Sequence, residues 1–205
     1  MSDDSPAWFQ VDREGDHLVI ETRGLSIRFD RPDDRWTHAI LAPRTLDGPP
    51  ETIARAVEWS PTPGEPDRVA GPVFQEMQMQ LDPEGRPQIL LLGMSGRHHF
   101  SGVFTLSKTA NGITLAVDVV DRCRGELAAL ASTYTVALHS GDLVASDQTS
   151  VTWSLDGCRL DFTAGDSTQL ALAEAGRGAT RVQAIWVESG KSQSRRWQYD
   201  WSLIS

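Results

Sequence analysis

The chain contains no apolar run long enough to cross a bilayer as a helix. Its most apolar stretch, QILLLGM at 88–94, is much shorter than the ~18 to 20 residues that such a helix needs. The first ten residues, MSDDSPAWFQ, lack the basic and apolar regions of a secretory signal. From these absences we expect a protein that does not span a membrane and that works in the cytoplasm.

Basic charge is also scarce. The sequence has 19 lysines and arginines against 28 aspartates and glutamates, which gives a net charge of −9 and a pI near 5.0. A field of this sign repels the phosphates of nucleic acids and of anionic lipids. We therefore expect neither a nucleic-acid partner nor a membrane partner, while association of copies through exposed strand edges stays open.

Cysteines and cofactor motifs are few. Cys123 and Cys158 belong to no CxxC or Cys/His spacing of the kind that binds zinc. They could meet if their strands pair, but in a reducing cytosol free buried thiols are more common than a disulfide. No phosphate-binding loop, dinucleotide fingerprint, GxSxG, HExxH or EF-hand pattern occurs. We therefore expect no metal site and no cofactor.

What the sequence does contain is a hydrophobic period of two, broken by turn signals. VFTLSKT at 103–109 and ITLAVDVV at 113–120 flank Asn111-Gly112, and VTWSL at 151–155 precedes Asp156-Gly157. Such dipeptides between alternating runs predict β-hairpins, and we expect a type I′ turn at Asn111-Gly112. Similar signals along the chain predict strands near 8–12, 17–22, 24–30, 36–41, 73–81, 88–94, 98–107, 112–120, 131–139, 142–147, 149–155, 158–163, 168–173, 180–188 and 193–204.

About 15 strands are too many for one flat open sheet. The prediction is a single all-β domain over 1–205, an antiparallel β-sandwich built from a meander of hairpins with one short helix at most. The alternative is a closed up-and-down barrel. No internal repeat or shift of composition divides the chain.

One long irregular stretch, at about 43–72, holds seven of the eleven prolines. It is either a binding loop or a stiff surface strap. Within it, PPETIARAVEW at 49–59 is the best helical candidate, because prolines suit a helix N-terminus and Ile53, Ala56 and Val57 share a helical face.

The meander, with GLSIRF at 24–29 and a histidine-bearing strand midway, resembles the supersandwich of galactose-mutarotase-like proteins. That resemblance is one of fold, and it implies a protein that handles sugars through histidine and a carboxylate. It assigns no role to a particular residue of this chain.

The candidate catalytic segment is SGRHHFSG at 95–102. Adjacent histidines in a strand point to opposite faces, so only one of His98 and His99 can be buried. If His99 faces a concave surface, Arg97 and Ser101 share its face, and imidazole suits general acid or base work. Its candidate carboxylate partners are Glu76 and Asp121, although neighbouring arginines also predict a salt-linked cluster at Asp121.

Seven tryptophans are many for 205 residues. The row Trp197, Tyr199 and Trp201 is more typical of a core, while Trp36 and Trp59, surrounded by polar residues, are the better candidates for stacking on a sugar. We therefore expect a carbohydrate-binding β-sandwich. The alternatives are a small sugar-active isomerase or hydrolase using a histidine and a carboxylate, an apolar-ligand barrel, or a protein-interaction module.

Overall fold

The computed structural model describes residues 8–43, 48–57, 68–124, 129–138, 141–176, 178–187 and 194–204. Seventeen β-strands and no helix occur in these ranges, and none of the described segments could therefore cross a bilayer as a helix. The strands are β1 Phe9–Glu14, β2 His17–Thr22, β3 Ser26–Asp30, β4 Thr37–Pro43, β5 Pro50–Ala56, β6 Arg68–Val69, β7 Glu76–Leu81, β8 Pro87–Ser95, β9 His98–Thr109, β10 Gly112–Cys123, β11 Ala129–Val136, β12 Asp142–Ser146, β13 Ser150–Leu155, β14 Cys158–Ala164, β15 Thr168–Gly176, β16 Ala179–Trp186 and β17 Ser194–Ile204.

The strands form two sheets. The first has the order β1-β2-β3-β4-β5-β11-β16-β15, with β6 beside β11, and the second has the order β12-β13-β14-β17-β10-β9-β8-β7. Every pairing is antiparallel except the short one between β6 and β11. The predicted antiparallel β-sandwich is confirmed. The barrel alternative is wrong, because each sheet ends in two edge strands rather than closing on itself.

The core lies between the sheets and follows from the period of two. In β17, alternate residues from Trp197 to Leu203 are at most 5% exposed, while the residues between them face outward. Trp197, Tyr199 and Trp201 are all buried, so their prediction as core residues is confirmed. Apolar side chains of both sheets pack into this one cluster.

The hairpin of β9 and β10 is confirmed, but its turn is not the predicted one. The strands close with Thr109 opposite Gly112, and neither Ala110 nor Asn111 has a positive φ, so the turn is not type I′. Glycine is needed at 112 for another reason. A Cβ there would lie 1.9 Å from the carbonyl oxygen of Leu203, because β17 crosses close to this position.

The helix predicted at 49–59 is wrong, since β5 occupies most of that segment. β5 pairs with β4 on one side and with β11 on the other, and Ala56 lies opposite Tyr134. Partners on both sides outweigh the weak local preference for helix, and the β-branched Thr52 and Ile53 suit the pleat. The rest of the proline-rich segment at 44–47 and 58–67, including Trp59, lies outside the described residues.

Candidate functional site

Two adjacent histidines point to opposite faces at the start of β9. His98 faces the core and is 2% exposed, whereas His99 is exposed on the outer face of the second sheet. The prediction that only one of them can be buried is confirmed. Each histidine belongs to a different group of side chains, one beneath the sheet and one above it.

Beneath the sheet, His98 contributes to what we call the inner cluster, which comprises His98, Asp121, Cys123 and Arg195. His98 Nδ1 lies 3.0 Å from Asp121 Oδ2, and Arg195 Nη1 lies 4.0 Å from the same oxygen. Cys123 stands directly opposite His98 in the β9–β10 register. All four residues are at most 4% exposed, and of the four only Cys123 also lines the open groove described below.

Arg195 and Cys123 tie the inner cluster to its surroundings. Arg195 Nη1 donates a hydrogen bond to the Cys123 carbonyl oxygen at 3.3 Å, and its guanidinium lies 5.5 Å from the centre of the Trp186 ring. Burial, followed by the charge of Asp121, raises the pKa of the Cys123 thiol, while Arg97 and Arg195 oppose that rise. The thiol is therefore protonated at neutral pH in the absence of a bound cation.

Above the sheet, an open groove of about 660 Å³ lies at the same end of β9 and β10. We call it the arginine groove. It is lined by Arg97, His99, Arg122, Cys123, Arg124 and Ser194. His99 and Arg122 are opposite each other in the register, so strand pairing sets their separation. No carboxylate occurs among these described lining residues, and Arg122 and Arg124 form no ion pair with the described part of the chain.

The structure separates His99 from both of its predicted carboxylate partners. Asp121 lies on the inner face beside His98, so it and His99 are on opposite sides of the sheet. Glu76 is exposed at the start of β7, two strands from β9, which places it about 10 Å or more from His99 at ~4.8 Å per strand. The expected pairing of His99 with a carboxylate is thus corrected: of the two adjacent histidines, the one that faces a carboxylate is His98.

Arg97 lies with His99 in the arginine groove, as their shared face predicts. Ser101 is half-buried on the same face of β9, opposite Leu92 and Val120, and is not part of the groove lining. Strand alternation therefore places these neighbours on one face, and of the two only Arg97 lines the groove with His99.

Trp36 does not offer an open face for a sugar. Its ring is 8% exposed in the core, and its backbone N–H donates to the Phe74 carbonyl oxygen at 2.8 Å, which links the two sheets. This is a correction to its predicted role as a stacking platform, because a buried indole cannot be covered by a pyranose. The role predicted for Trp59 falls outside the described residues.

Beside Trp36 lies a row of three buried, hydrogen-bonded side chains that was not predicted from the sequence. His38 Nε2 lies 2.8 Å from the Tyr134 hydroxyl, which lies 2.8 Å from the Tyr199 hydroxyl. Burial lowers the pKa of His38 to about 3 and raises that of Tyr199 to about 12. The adjoining cavity has a volume of about 30 Å³, which holds one or two waters and no larger ligand. These hydrogen-bonded side chains therefore join the two sheets rather than forming a substrate site.

A second open groove lies at the edge of the first sheet. We call it the Trp8 groove, of about 420 Å³, and it is lined by Trp8, Phe9, Gln10, Glu21, Thr22, Arg23 and Lys108. The Trp8 and Phe9 rings pack edge to face with their centres 5.0 Å apart. Trp8 is half-buried, so part of its indole faces the groove.

Within the described ranges, one group of donor atoms is close enough together to hold a metal ion, and it is in the inner cluster. One ligand atom each from His98, Asp121 and Cys123 lies within 4.8 Å of the others. Comparisons with known proteins do not indicate what either groove binds: no protein-family model matches the chain, and no significant match to a curated protein is found.

Proposed function

We propose that this protein binds a small anionic molecule, such as a carboxylated or phosphorylated sugar, in the arginine groove. The observation that carries the proposal is the gathering of three arginines and an exposed histidine around one groove whose described lining has no carboxylate. Arginine presents a planar fork of N–H donors that matches carboxylate and phosphate oxygens, often in bidentate pairs.

Electrostatics supports an anion in this groove. The protein as a whole carries a net charge of −9, so three arginines at one place stand out against its general field. Like charges held close together repel, and an anion between them removes that repulsion. Because the groove is open to solvent, the attraction is screened by salt, and the affinity is expected to fall as ionic strength rises.

The geometry supports binding better than acid–base catalysis at His99. General acid–base work by a histidine is commonly set up by a partner within hydrogen-bond reach, and neither Asp121 nor Glu76 fills that place. His99 is therefore proposed as a hydrogen-bond donor to the bound anion. Sugar turnover by a His99–carboxylate pair is no longer the favoured alternative.

Isothermal titration calorimetry tests the proposal with three sugars that share the glucose ring but differ in charge. We expect glucuronate and glucose 6-phosphate to bind saturably and glucose not to bind in this groove. Arg122→Gln should weaken the binding of both anions at least tenfold, which is about what the loss of one charge-assisted hydrogen bond costs. Arg13→Gln, which removes an exposed arginine from β1, is the matched control.

Two results would contradict an anion site in the arginine groove. One is the absence of binding by either charged sugar at low salt. The other is an equal loss of affinity in Arg122→Gln and Arg13→Gln, because a general change of net charge would then explain the effect.

We also propose a second candidate, a neutral saccharide in the Trp8 groove, which retains the carbohydrate-binding expectation. The observation that favours it is a half-buried indole flanked by Gln10, Glu21 and Arg23 in a groove of about 420 Å³. Sugars stack their apolar faces on indoles while amides and carboxylates bind their hydroxyls. This groove supplies both kinds of contact.

Isothermal titration calorimetry with neutral oligosaccharides tests the second candidate. Saturable binding that is lost in Trp8→Ala and kept in Trp8→Phe would support it, because phenylalanine retains a stacking face. An identical response in wild type and Trp8→Ala would rule out the Trp8 groove. Arg122→Gln serves as the control, since it should leave neutral sugars unaffected.

The cytoplasm is the proposed compartment. Cys123 and Cys158 are both free thiols in the folded chain, and free thiols are the usual state of cysteine in a reducing cytosol. Cell fractionation of the tagged native protein tests this, and recovery from an oxidising compartment would contradict it.

A further inference from the structure

We propose that the inner cluster is a binding site for a zinc-type divalent metal ion, with His98, Asp121 and Cys123 as its ligands. The donor atoms of these three residues lie within 4.8 Å of one another, and each side chain is at most 2% exposed. The proposal goes beyond the anion site and does not depend on it.

The register of β9 and β10 assembles the three ligands. His98 is paired directly with Cys123, and Asp121 precedes Cys123 by two residues, so all three point to the same face of the sheet. Both strands have ladder partners on each side, β9 between β8 and β10 and β10 between β9 and β17. Strand pairing on both sides therefore positions the backbone of His98 and Asp121, while Cys123, the last residue of β10, is positioned by its pairing with His98.

The donor set suits zinc and similar late first-row ions. Imidazole nitrogen, carboxylate oxygen and thiolate sulfur are the three kinds of ligand that zinc binds, at about 2.0 to 2.3 Å. Tetrahedral ligands at those lengths lie roughly 3.3 to 3.8 Å apart. The cluster, with His98 Nδ1 and Asp121 Oδ2 at 3.0 Å, needs shifts of about 1 Å at most to reach that geometry.

A second observation points to a bound cation. Asp121 is fully buried, and its Oδ1 atom has no hydrogen-bond partner in the described part of the chain, whereas Oδ2 faces His98 and Arg195. A buried carboxylate oxygen without a partner is costly, since it has lost its hydration and gained nothing in return. A metal ion bound by Asp121 would supply the missing interaction.

The charges of the cluster set what the site can hold. Cys123 binds as the thiolate, and its proton passes to solvent. The metal contributes +2, Asp121 and the thiolate contribute −1 each, and the nearby Arg195 contributes +1, so the loaded cluster carries +1. Arg195 therefore lowers the affinity for the metal. The same excess charge favours an anion as the fourth ligand, and Cys123 also lines the arginine groove.

Cobalt(II) binding to the full chain, freed of metal by a chelator, tests the proposal. Cobalt bound by a thiolate shows a near-ultraviolet charge-transfer band, and tetrahedral coordination gives strong visible bands. We expect one cobalt per chain with both features and displacement by zinc. Because the chain has only two cysteines, Cys158→Ser leaves Cys123 as the sole thiol and should keep the charge-transfer band.

The adjacent histidines and the second cysteine supply matched controls. Cys123→Ser should lose the charge-transfer band, and His98→Gln should weaken cobalt binding at least tenfold. His99→Gln should change neither the band nor the affinity for cobalt. The absence of stoichiometric cobalt in wild type would overturn the proposal. So would loss of the band in Cys158→Ser, which keeps the inner cluster intact and tests the assignment even if Cys123→Ser does not fold.

Discussion

The hydroxyl oxygens of Tyr134 and Tyr199 lie 2.8 Å apart where the two sheets face each other. Tyr134 belongs to β11 of the first sheet and Tyr199 to β17 of the second, and both are at most 1% exposed. They are the only two tyrosines of the chain. Every tyrosine signal of this protein therefore reports on the interface between its sheets.

The two tyrosines should resist ionisation until the protein unfolds. Burial raises the pKa of Tyr199 to about 12 and, with Tyr199 as neighbour, that of Tyr134 well above its usual value. Because the unfolded state loses these protons near pH ~10, stability is present below that pH and is lost as pH rises toward about 12.

Ultraviolet absorbance of tyrosinate checks this prediction when it is followed together with circular dichroism. We expect no tyrosinate near pH ~10 in the folded protein, and a rise that coincides with loss of the sheet signal. In concentrated urea both tyrosines should titrate near the ordinary value. Tyrosinate at pH ~10 with the fold intact would contradict the buried pair.

His38 should make the fold sensitive to mild acid. Burial lowers its pKa from 6.5 to about 3 in the folded state, so below pH ~6.5 the unfolded chain binds a proton that the folded protein does not. Stability from this residue is present above that pH and is lost as pH falls toward 3, by up to about 1.4 kcal/mol per pH unit.

Urea unfolding at several pH values tests the role of His38. Between about pH 7 and pH 5, the free energy of unfolding of wild type should fall by about 2 kcal/mol more than that of His38→Gln, because the glutamine amide does not titrate. His99→Gln, which removes an exposed histidine, should behave as wild type does. Parallel curves for wild type and His38→Gln would show that His38 does not control acid stability.

Loss of the Asp121 carboxylate should strongly destabilise the fold. Asp121 is fully buried and faces His98 and Arg195, so Asp121→Asn removes the negative charge between two basic groups. We expect a loss of about 3 kcal/mol in the free energy of unfolding, as is typical when one partner of a buried ion pair is removed.

Asp118→Asn is the matched control on the same strand. Asp118 accepts a hydrogen bond from Arg196 Nε at 2.8 Å on the outer face, where solvent screens the pair. Its loss should cost less than about 1 kcal/mol. Equal losses in the two variants, measured by urea unfolding, would refute the structural importance of the inner cluster.

Gly93 should tolerate no side chain. A Cβ at this position of β8 would lie 2.0 Å from the Val73 carbonyl oxygen and 2.6 Å from Phe74 Cα, and neither backbone atom can rotate away. We expect Gly93→Ala to cost about 3 kcal/mol in urea unfolding. Gly85→Ala, in the open turn before β8, meets no atom within 4 Å and should cost only about 1 kcal/mol for its positive φ. A smaller loss for Gly93→Ala than for Gly85→Ala would contradict the close approach.

The sequence predicted strands well because alternation and turns are local signals. The β9–β10 hairpin and the burial of only one of His98 and His99 follow directly from a period of two. β5 was missed because one of its two partner strands is distant in sequence: Tyr134 of β11, opposite Ala56, is 78 residues away. A pairing of this kind leaves no mark in a local window.

The inner cluster could have been predicted from the same alternation. Leu115, Val117 and Val119 share the buried face of β10, and continuing that row places Asp121 and Cys123 inward with His98. The pairing of Arg122 with His99 follows from the same hairpin. The Tyr134–Tyr199 contact could not have been predicted, because it depends on how two sheets stack.

The position of β17 has a consequence for synthesis of the protein. β17 lies between β10 and β14, so the β7–β10 block and the β12–β14 block of the second sheet have no direct pairing with each other. A ribosome makes β17 after all the strands of both blocks. The nascent chain therefore passes through a stage in which β10 and β14 both present open edges, and during that interval pairing with another emerging chain competes with completion of the sheet.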